Sequence, residues 1–186
     1  IDGNFNIPFN NYTIDRLFYE YINGTFNLSN TILCSPDAGG VKRVELINQR
    51  FGEKLDIVTI LKKRKKANEV DSMQLLGDVV GKDVIIVDDI LDTAGTLTKA
   101  VDYLLAEGAK SVSACITHLV GSRKYAENIA NSKLKSLVVA NTISNTEVKL
   151  NAIRILNSKI NISCVDINSH IAHILYNLYT SQSLKE

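Results

Sequence analysis

The sequence has no tryptophan, two prolines, three cysteines and a single methionine, Met73. Each scarcity removes a class of explanation. Cys34, Cys115 and Cys164 stand far apart in apolar surroundings, and no CxxC spacing occurs. An odd count so spaced argues against a disulfide framework and against a tetrahedral zinc site. Buried free thiols in a reducing, cytoplasmic compartment are the expectation. No apolar run approaches the ~20 residues of a membrane span, and no signal peptide is visible, so no membrane partner is expected. An initiator methionine is also lacking, which predicts a processed chain or a piece of a longer one. Neither sign of charge is in excess: 21 Lys and Arg face 20 Asp and Glu. A net charge of +1 gives no global reason to expect nucleic acid. Walker A, Gly-x-Ser-x-Gly and HExxH patterns are all missing. His170 and His173 stand three apart on a predicted helix without a third ligand, so they read as surface or core residues, as does His118.

What is present suits one α/β domain covering 1–186. Hydrophobic residues make up 45% of the chain, enough for a core. Ile14, Leu17, Phe18, Tyr21 and Ile22 recur at helical spacing, with Thr13 as cap and Gly24 as stop. Thr31 to Cys34 reads as a short buried strand, and a helix is predicted from near Val41 to about Gly52. Asp56 to Leu61 is a strand by its β-branched residues. The polar stretch Lys62 to Asp71 reads as a loop. Val84 to Val87 is a continuous β-branched run, the mark of a strand covered on both faces. Leu97, Ala100, Val101, Leu104 and Leu105 form a helical stripe stopped by Gly108. A strand from Ser111 to Thr117, a helix near Tyr125 to Ala130, strands at Leu137 to Val139 and Ile162 to Val165, and a helix from Ser169 to Leu178 complete the chain. Strands alternating with helices predict a doubly wound, mostly parallel sheet.

Three segments carry chemistry. After Val84 to Val87 come Asp88 and Asp89, then the turn Asp92-Thr93-Ala94-Gly95-Thr96 leading into a helix. In such sheets ligands bind beyond the carboxyl ends of the strands. A helix N-terminus offers free N–H groups and a favourable dipole to a phosphate. Gly95 permits close backbone approach, and Thr93 and Thr96 add hydroxyl donors. Hydrogen bonds to a charged group contribute roughly 1.5–3 kcal/mol each. Paired acids beside a phosphate cradle make sense once a sugar and Mg²⁺ enter, since carboxylates bind ribose hydroxyls directly or through the cation. A bare Asp-Asp would more often just open a turn; the full run on a strand-loop-helix frame favours a phosphoribosyl loop. The second segment, Ser35-Pro36-Asp37-Ala38-Gly39-Gly40-Val41-Lys42-Arg43, is again strand, loop and helix. Gly39 and Gly40 permit backbone amides to face an oxyanion, and Asp37 is a candidate metal contact. The third, Lys62-Lys63-Arg64-Lys65-Lys66, is a run of cations with no interleaved aromatics for base stacking. A solvated basic loop is the plain interpretation; a cationic loop that covers a phosphoryl group is the functional one.

Together these segments resemble the ribose-phosphate diphosphokinases, also called phosphoribosyl diphosphate synthetases. Ser35 to Arg43 resembles their pyrophosphate loop. Lys62 to Val70 resembles their catalytic loop, down to Lys65-Lys66-Ala67-Asn68-Glu69-Val70, with Lys63 standing where some members carry an acid. Val84 to Thr96 resembles their phosphoribosyl signature, and the likeness extends to Ile7-Pro8, Ile116-Thr117-His118 and Ala140-Asn141-Thr142-Ile143. The resemblance implies a phosphoribosyltransferase-type fold matching the C-terminal half of a two-half enzyme. It implies transfer of the diphosphoryl group of ATP to ribose 5-phosphate, giving 5-phosphoribosyl 1-diphosphate and AMP, with Mg²⁺. By it, Lys62 and Arg64 stabilise the transferring group. Asp92, Thr93, Ala94, Gly95 and Thr96 cradle the 5-phosphate, and Gly39 and Gly40 face the diphosphate. Asp88 and Asp89 hold ribose hydroxyls and cation, and Asp37 is a further metal contact. The missing half would supply most ATP-binding residues, so the chain alone is expected to be inactive; a homo-oligomer is implied for the full enzyme. A phosphoribosyltransferase and a non-catalytic regulatory homologue are the alternatives. Lys65 to Val70 argues against the first, and intact Lys62, Arg64, Asp88 and Asp89 argue against the second.

Overall fold

In the computed structural model, which describes residues 11–63 and 72–180, the apolar run at Val84 becomes the centre of a seven-stranded sheet. The strands are β1 (Thr31–Ser35), β2 (Ile57–Lys63), β3 (Ser72–Leu76), β4 (Asp83–Leu91), β5 (Ser111–Leu119), β6 (Ser136–Ala140) and β7 (Asn161–Val165). Their order is β3-β2-β1-β4-β5-β6-β7. Every neighbouring pair is parallel except β2 with β3. The predicted doubly wound, mostly parallel sheet is therefore present. Because β1 is flanked by β2 on one side and β4 on the other, the direction of winding reverses between β1 and β4. A crevice opens beyond the carboxyl ends of strands at such a point.

Side chains alternate across each strand, so one strand feeds two cores. Leu33, Ile85, Val87, Cys115 and Val138 face one layer. Phe18 and Ile22 of α1 (Asp15–Thr25) and Val44 and Ile47 of α2 (Val41–Arg50) cover that face. Ile32, Val84, Ile86, Ala114 and Leu137 face the other. There Leu97, Val101 and Leu104 of α3 (Gly95–Ala106), Ile129 of α4 (Tyr125–Ala130) and Leu150 and Ile153 of α5 (Thr146–Leu156) close the layer. Each such side chain contributes roughly 1.5–3 kcal/mol by leaving water. At the N-terminal end of β4, Asp83 accepts hydrogen bonds from Ser111 and Asn30 and lies 3.6 Å from both Lys110 and Lys135. Burial raises its pKa, but those bonds and the two lysines outweigh it and hold the carboxyl below its ordinary value. The last helix, α6 (Asn168–Tyr179), buries only Asn177 among its residues. Leu175, Tyr176 and Tyr179 are exposed on it. No helix among the described residues is long and apolar enough to cross a membrane.

Several local expectations are corrected. Thr13 does not cap α1: its hydroxyl bonds the carboxylate of Asp15, which also pairs with Arg50. Gly24 lies inside that helix, which runs on to Thr25. Lys62 and Lys63 are not loop residues. Their backbone extends β2 and pairs with Met73 and Ser72 of the antiparallel edge strand β3, an element that alternation does not announce. Residues 64–71, including Arg64, lie outside the described residues. The helix α5, between β6 and β7, is a second addition. Cys34 and Cys115 are buried free thiols, both pushed up to about 12 by burial. Cys164 is exposed, because β7 is an edge strand with β6 as its one neighbour.

Candidate active site

The strand β4 has nine residues, so it carries Asp88 and Asp89 within its paired length, with Asp88 level with Ile116 of β5. Strand alternation then separates the two acids. Asp88 lines a cavity of about 120 Å³ shared with Asp92, Thr93, Ala94, Gly95 and Thr96. Asp89 lines a groove of about 900 Å³ that also touches Gly39, Arg43 and His118. Arg43, in the first turn of α2, reaches both acids. Its Nη2 is 2.7 Å from Asp89 Oδ2 and its Nη1 is 3.6 Å from Asp88 Oδ1. Asp88 Oδ1 also accepts the N–H of Asp89 at 2.9 Å. Burial pushes the Asp88 carboxyl up to about 6; the neighbouring Asp89 charge adds to this, while Arg43 and the accepted N–H oppose it. One guanidinium only partly compensates two adjacent carboxylates. The pair therefore retains an affinity for further positive charge.

The turn from Asp92 to Thr96 is held from the α4 side. Asp92 Oδ1 accepts Ser122 N–H at 3.2 Å, and Asn128 Nδ2 donates to Thr93 O at 2.8 Å. Helix α3 starts at Gly95, so Thr96 sits in its first turn and not at its cap. The left-handed residue is Ala94, with φ 66°, and not Gly95, whose backbone is helical. A non-glycine residue in that conformation costs on the order of 1 kcal/mol or more. Gly95, Thr96 and Leu97 of the first turn of α3 line the small cavity, where the helix dipole favours an anion.

The Ser35–Arg43 segment forms a tight corner. Ala38–Gly40 is a single 3₁₀ turn, and Asp37 Oδ1 accepts Gly40 N–H at 2.9 Å. The amide of Gly40 is therefore already bonded and does not face outward as its sequence suggests, whereas Gly39 lines the large groove. Gly40 is needed for space: a Cβ there would lie 2.7 Å from Ser35 Oγ and 3.2 Å from Arg43 Nη1. Asp37 is exposed, away from the Asp88 and Asp89 pair in the cavity linings. Among the described residues, no three His, Cys, Asp or Glu side chains are grouped to hold a metal. A divalent cation on Asp88 and Asp89 would thus take most of its oxygens from ligand and water. Mg²⁺ binds in that manner, through one or two carboxylates plus substrate phosphates. The donor set fits it.

The structure also brings together residues whose association motif reading did not show. Arg43 was visible only as the end of a glycine loop, and its contact with both acids depends on the β1–β4 crevice. His118 and Thr142, 24 positions apart, meet at 2.7 Å beside the groove.

Paired acids thus stand at the end of a central parallel strand, followed by a turn and the first turn of a helix. Residues 10–152 match the phosphoribosyl transferase domain family, and the chain belongs to that family. Within it, the chain is similar to the ribose-phosphate pyrophosphokinases of Campylobacter jejuni, 48% identical over 143 residues, and Aquifex aeolicus, 40% identical over 156 residues. Those alignments cover 77% and 84% of this chain but 45% and 50% of the relatives. The chain spans about half the length of the curated relatives it matches. Its fold is also that of the phosphoribosylpyrophosphate synthetase from Mycobacterium smegmatis, with a TM-score of 0.80 and 27% identity over 97% of this chain and 55% of that one.

Proposed function

We propose that this chain supplies the ribose 5-phosphate site and the catalytic loop for synthesis of 5-phosphoribosyl 1-diphosphate from ATP and ribose 5-phosphate. The observation that carries the reading is the arrangement around Arg43. Two acids under-compensated by one guanidinium stand next to an anion-binding turn, as a ligand with both hydroxyls and phosphate requires. In this reading the 5-phosphate rests on Asp92 to Thr96. Asp88 and Asp89 take the sugar hydroxyls, while the Ser35 to Gly40 corner, through Gly39, borders the diphosphate. Asp88 and Asp89 are the carboxylates that would hold Mg²⁺, with Asp37, apart from them, as a separate metal contact beside the diphosphate; the cation would neutralise charge on the diphosphoryl oxygens. The sugar 1-hydroxyl oxygen forms a bond to the β-phosphorus of ATP and loses its proton, the bond between that phosphorus and the α-phosphate bridge breaks, and AMP leaves. Lys62 and Arg64 stabilise charge on the group in transit. Phosphoryl transfer of this kind relies on positioning and charge compensation more than on covalent chemistry.

Calorimetry with ribose 5-phosphate, on protein shown to be folded by circular dichroism, tests the reading. Binding is expected, weaker on Thr96→Val, where one hydroxyl donor to phosphate is lost. Asp89→Asn should weaken it too. No binding by a folded sample, or binding indifferent to both substitutions, would remove the case for the site.

A further inference from the structure

His118 is left without a role by the reading above, and its geometry is specific. It follows Thr117 near the end of β5, and both residues line the large groove, whereas Leu119 returns to the core. The Thr142 hydroxyl is 2.7 Å from Thr117 O, and a hydroxyl at that distance from a carbonyl donates its one proton to it. Thr142 Oγ1 can then only accept from His118 Nδ1, also 2.7 Å away. In the neutral imidazole the relay therefore places the proton on Nδ1 and leaves Nε2 as a bare acceptor. Among the described residues no group is bonded to Nε2, and the ring borders the same groove as Asp89, Arg43 and Gly39.

We propose that His118 is a third recognition element of the sugar-phosphate site, its Nε2 accepting a hydrogen bond from a sugar hydroxyl, with Thr142 as the positioning residue that sets the tautomer. The inference rests on the ribose-phosphate reading and adds a chemical requirement to it. A ligand gains from His118 only if it carries a hydroxyl donor; a bare phosphate does not. Arg43 and His118 offer opposite complements on one groove, a donor and an acceptor, as a hydroxyl needs.

The two amide substitutions separate the halves of the imidazole. In His118→Asn the amide nitrogen replaces Nδ1 and keeps the bond to Thr142. In His118→Gln the amide oxygen replaces Nε2 and keeps the acceptor. Titrating the whole chain with ribose 5-phosphate and with inorganic phosphate should show His118→Asn weakening the sugar phosphate roughly three- to tenfold, the size of one net hydrogen bond. His118→Gln should stay within about twofold, and inorganic phosphate should bind all three proteins alike. Nitrogen-15 spectra of the imidazole should report an Nδ1–H tautomer whose Nε2 signal moves with ribose 5-phosphate. That tautomer should survive in Thr142→Ser and mix with the other in Thr142→Val. An Nε2–H tautomer in the wild type, or His118→Gln falling as far as His118→Asn, overturns the proposal. If wild type and His118→Asn bind the sugar phosphate equally, only the His118 assignment fails. If the wild type binds none, the ribose-phosphate reading fails and takes the acceptor role with it.

Discussion

Replacing Asp88 by asparagine should stabilise the free chain at neutral pH, although Asp88 belongs to its site. Burial raises this carboxyl from 3.8 to about 6. In the unfolded chain it loses its proton near its ordinary value; in the folded chain it holds the proton up to about pH 6. The folded state thus binds more protons between those values. The associated stability is fully present below about pH 4 and is lost as pH rises through about 6. A shift of two units corresponds to about 3 kcal/mol at most, at 1.36 kcal/mol per unit. Asparagine retains an Oδ1 to accept the Asp89 N–H and carries no charge to desolvate. It forgoes the distant Arg43 Nη1 contact, a pair of the kind worth roughly 0–1 kcal/mol. The expected gain is about 1–3 kcal/mol at pH 7.5, shrinking towards zero at pH 4. Urea unfolding followed by circular dichroism at both pH values reads it directly. A variant less stable than wild type at pH 7.5, or a difference that does not change with pH, would refute the reasoning. The same variant should lose Mg²⁺-dependent binding of 5-phosphoribosyl 1-diphosphate, which separates the stability of the empty site from its use.

Three other outcomes are expected. Gly40→Ala places a methyl 2.7 Å from the Oγ of Ser35, which is fully buried and bonded to Asp37 O at 2.6 Å, so neither can yield cheaply. It should cost roughly 1–3 kcal/mol in urea unfolding, and an unchanged midpoint would mean that the corner relaxes freely. Ala94→Val puts a β-branched side chain at φ 66°. It should destabilise by at least about 1 kcal/mol and weaken ribose 5-phosphate binding, both measurable on one sample by thermal shift with and without ligand. In a preparation that forms AMP, Arg64→Ala should lower kcat by on the order of 10²–10³, and a kcat within a few-fold of wild type would withdraw its catalytic role.

The central sheet was legible because β-branched runs such as Val84 to Val87 have few other uses, and the helix stripes at Leu97 to Leu104 are strongly periodic. The edge was not. β3 consists of Ser72-Met73-Gln74-Leu75-Leu76, only partly buried, and its pairing depends on β2 running through two lysines. Charge led Lys62 and Lys63 to be read as loop, but their backbone pairs with the edge strand β3 and is extended whatever their charge. Within the site, Asp88, Asp89 and the turn to Thr96 could be read from local order, because one strand-loop-helix unit carries them. The contacts of Arg43 and His118 could not, since their partners, on β4 and in the segment after β6, are distant in sequence. The left-handed backbone at Ala94 carried no sequence signal, since alanine does not favour it.

Asp88 and Asp89 are adjacent in sequence but look into different compartments, one on the α3 side and one on the α2 side. The end of β4 therefore acts as a partition. A ligand that fills both compartments must sit astride it, with one end in each. A small anion occupies one side alone and leaves the other acid as it was. Selection for a ligand with two distinct ends thus follows from a strand's period of two, before any single contact is considered. Inserting one residue between Val87 and Asp88 would exchange the compartments and break that selection, with every functional side chain kept.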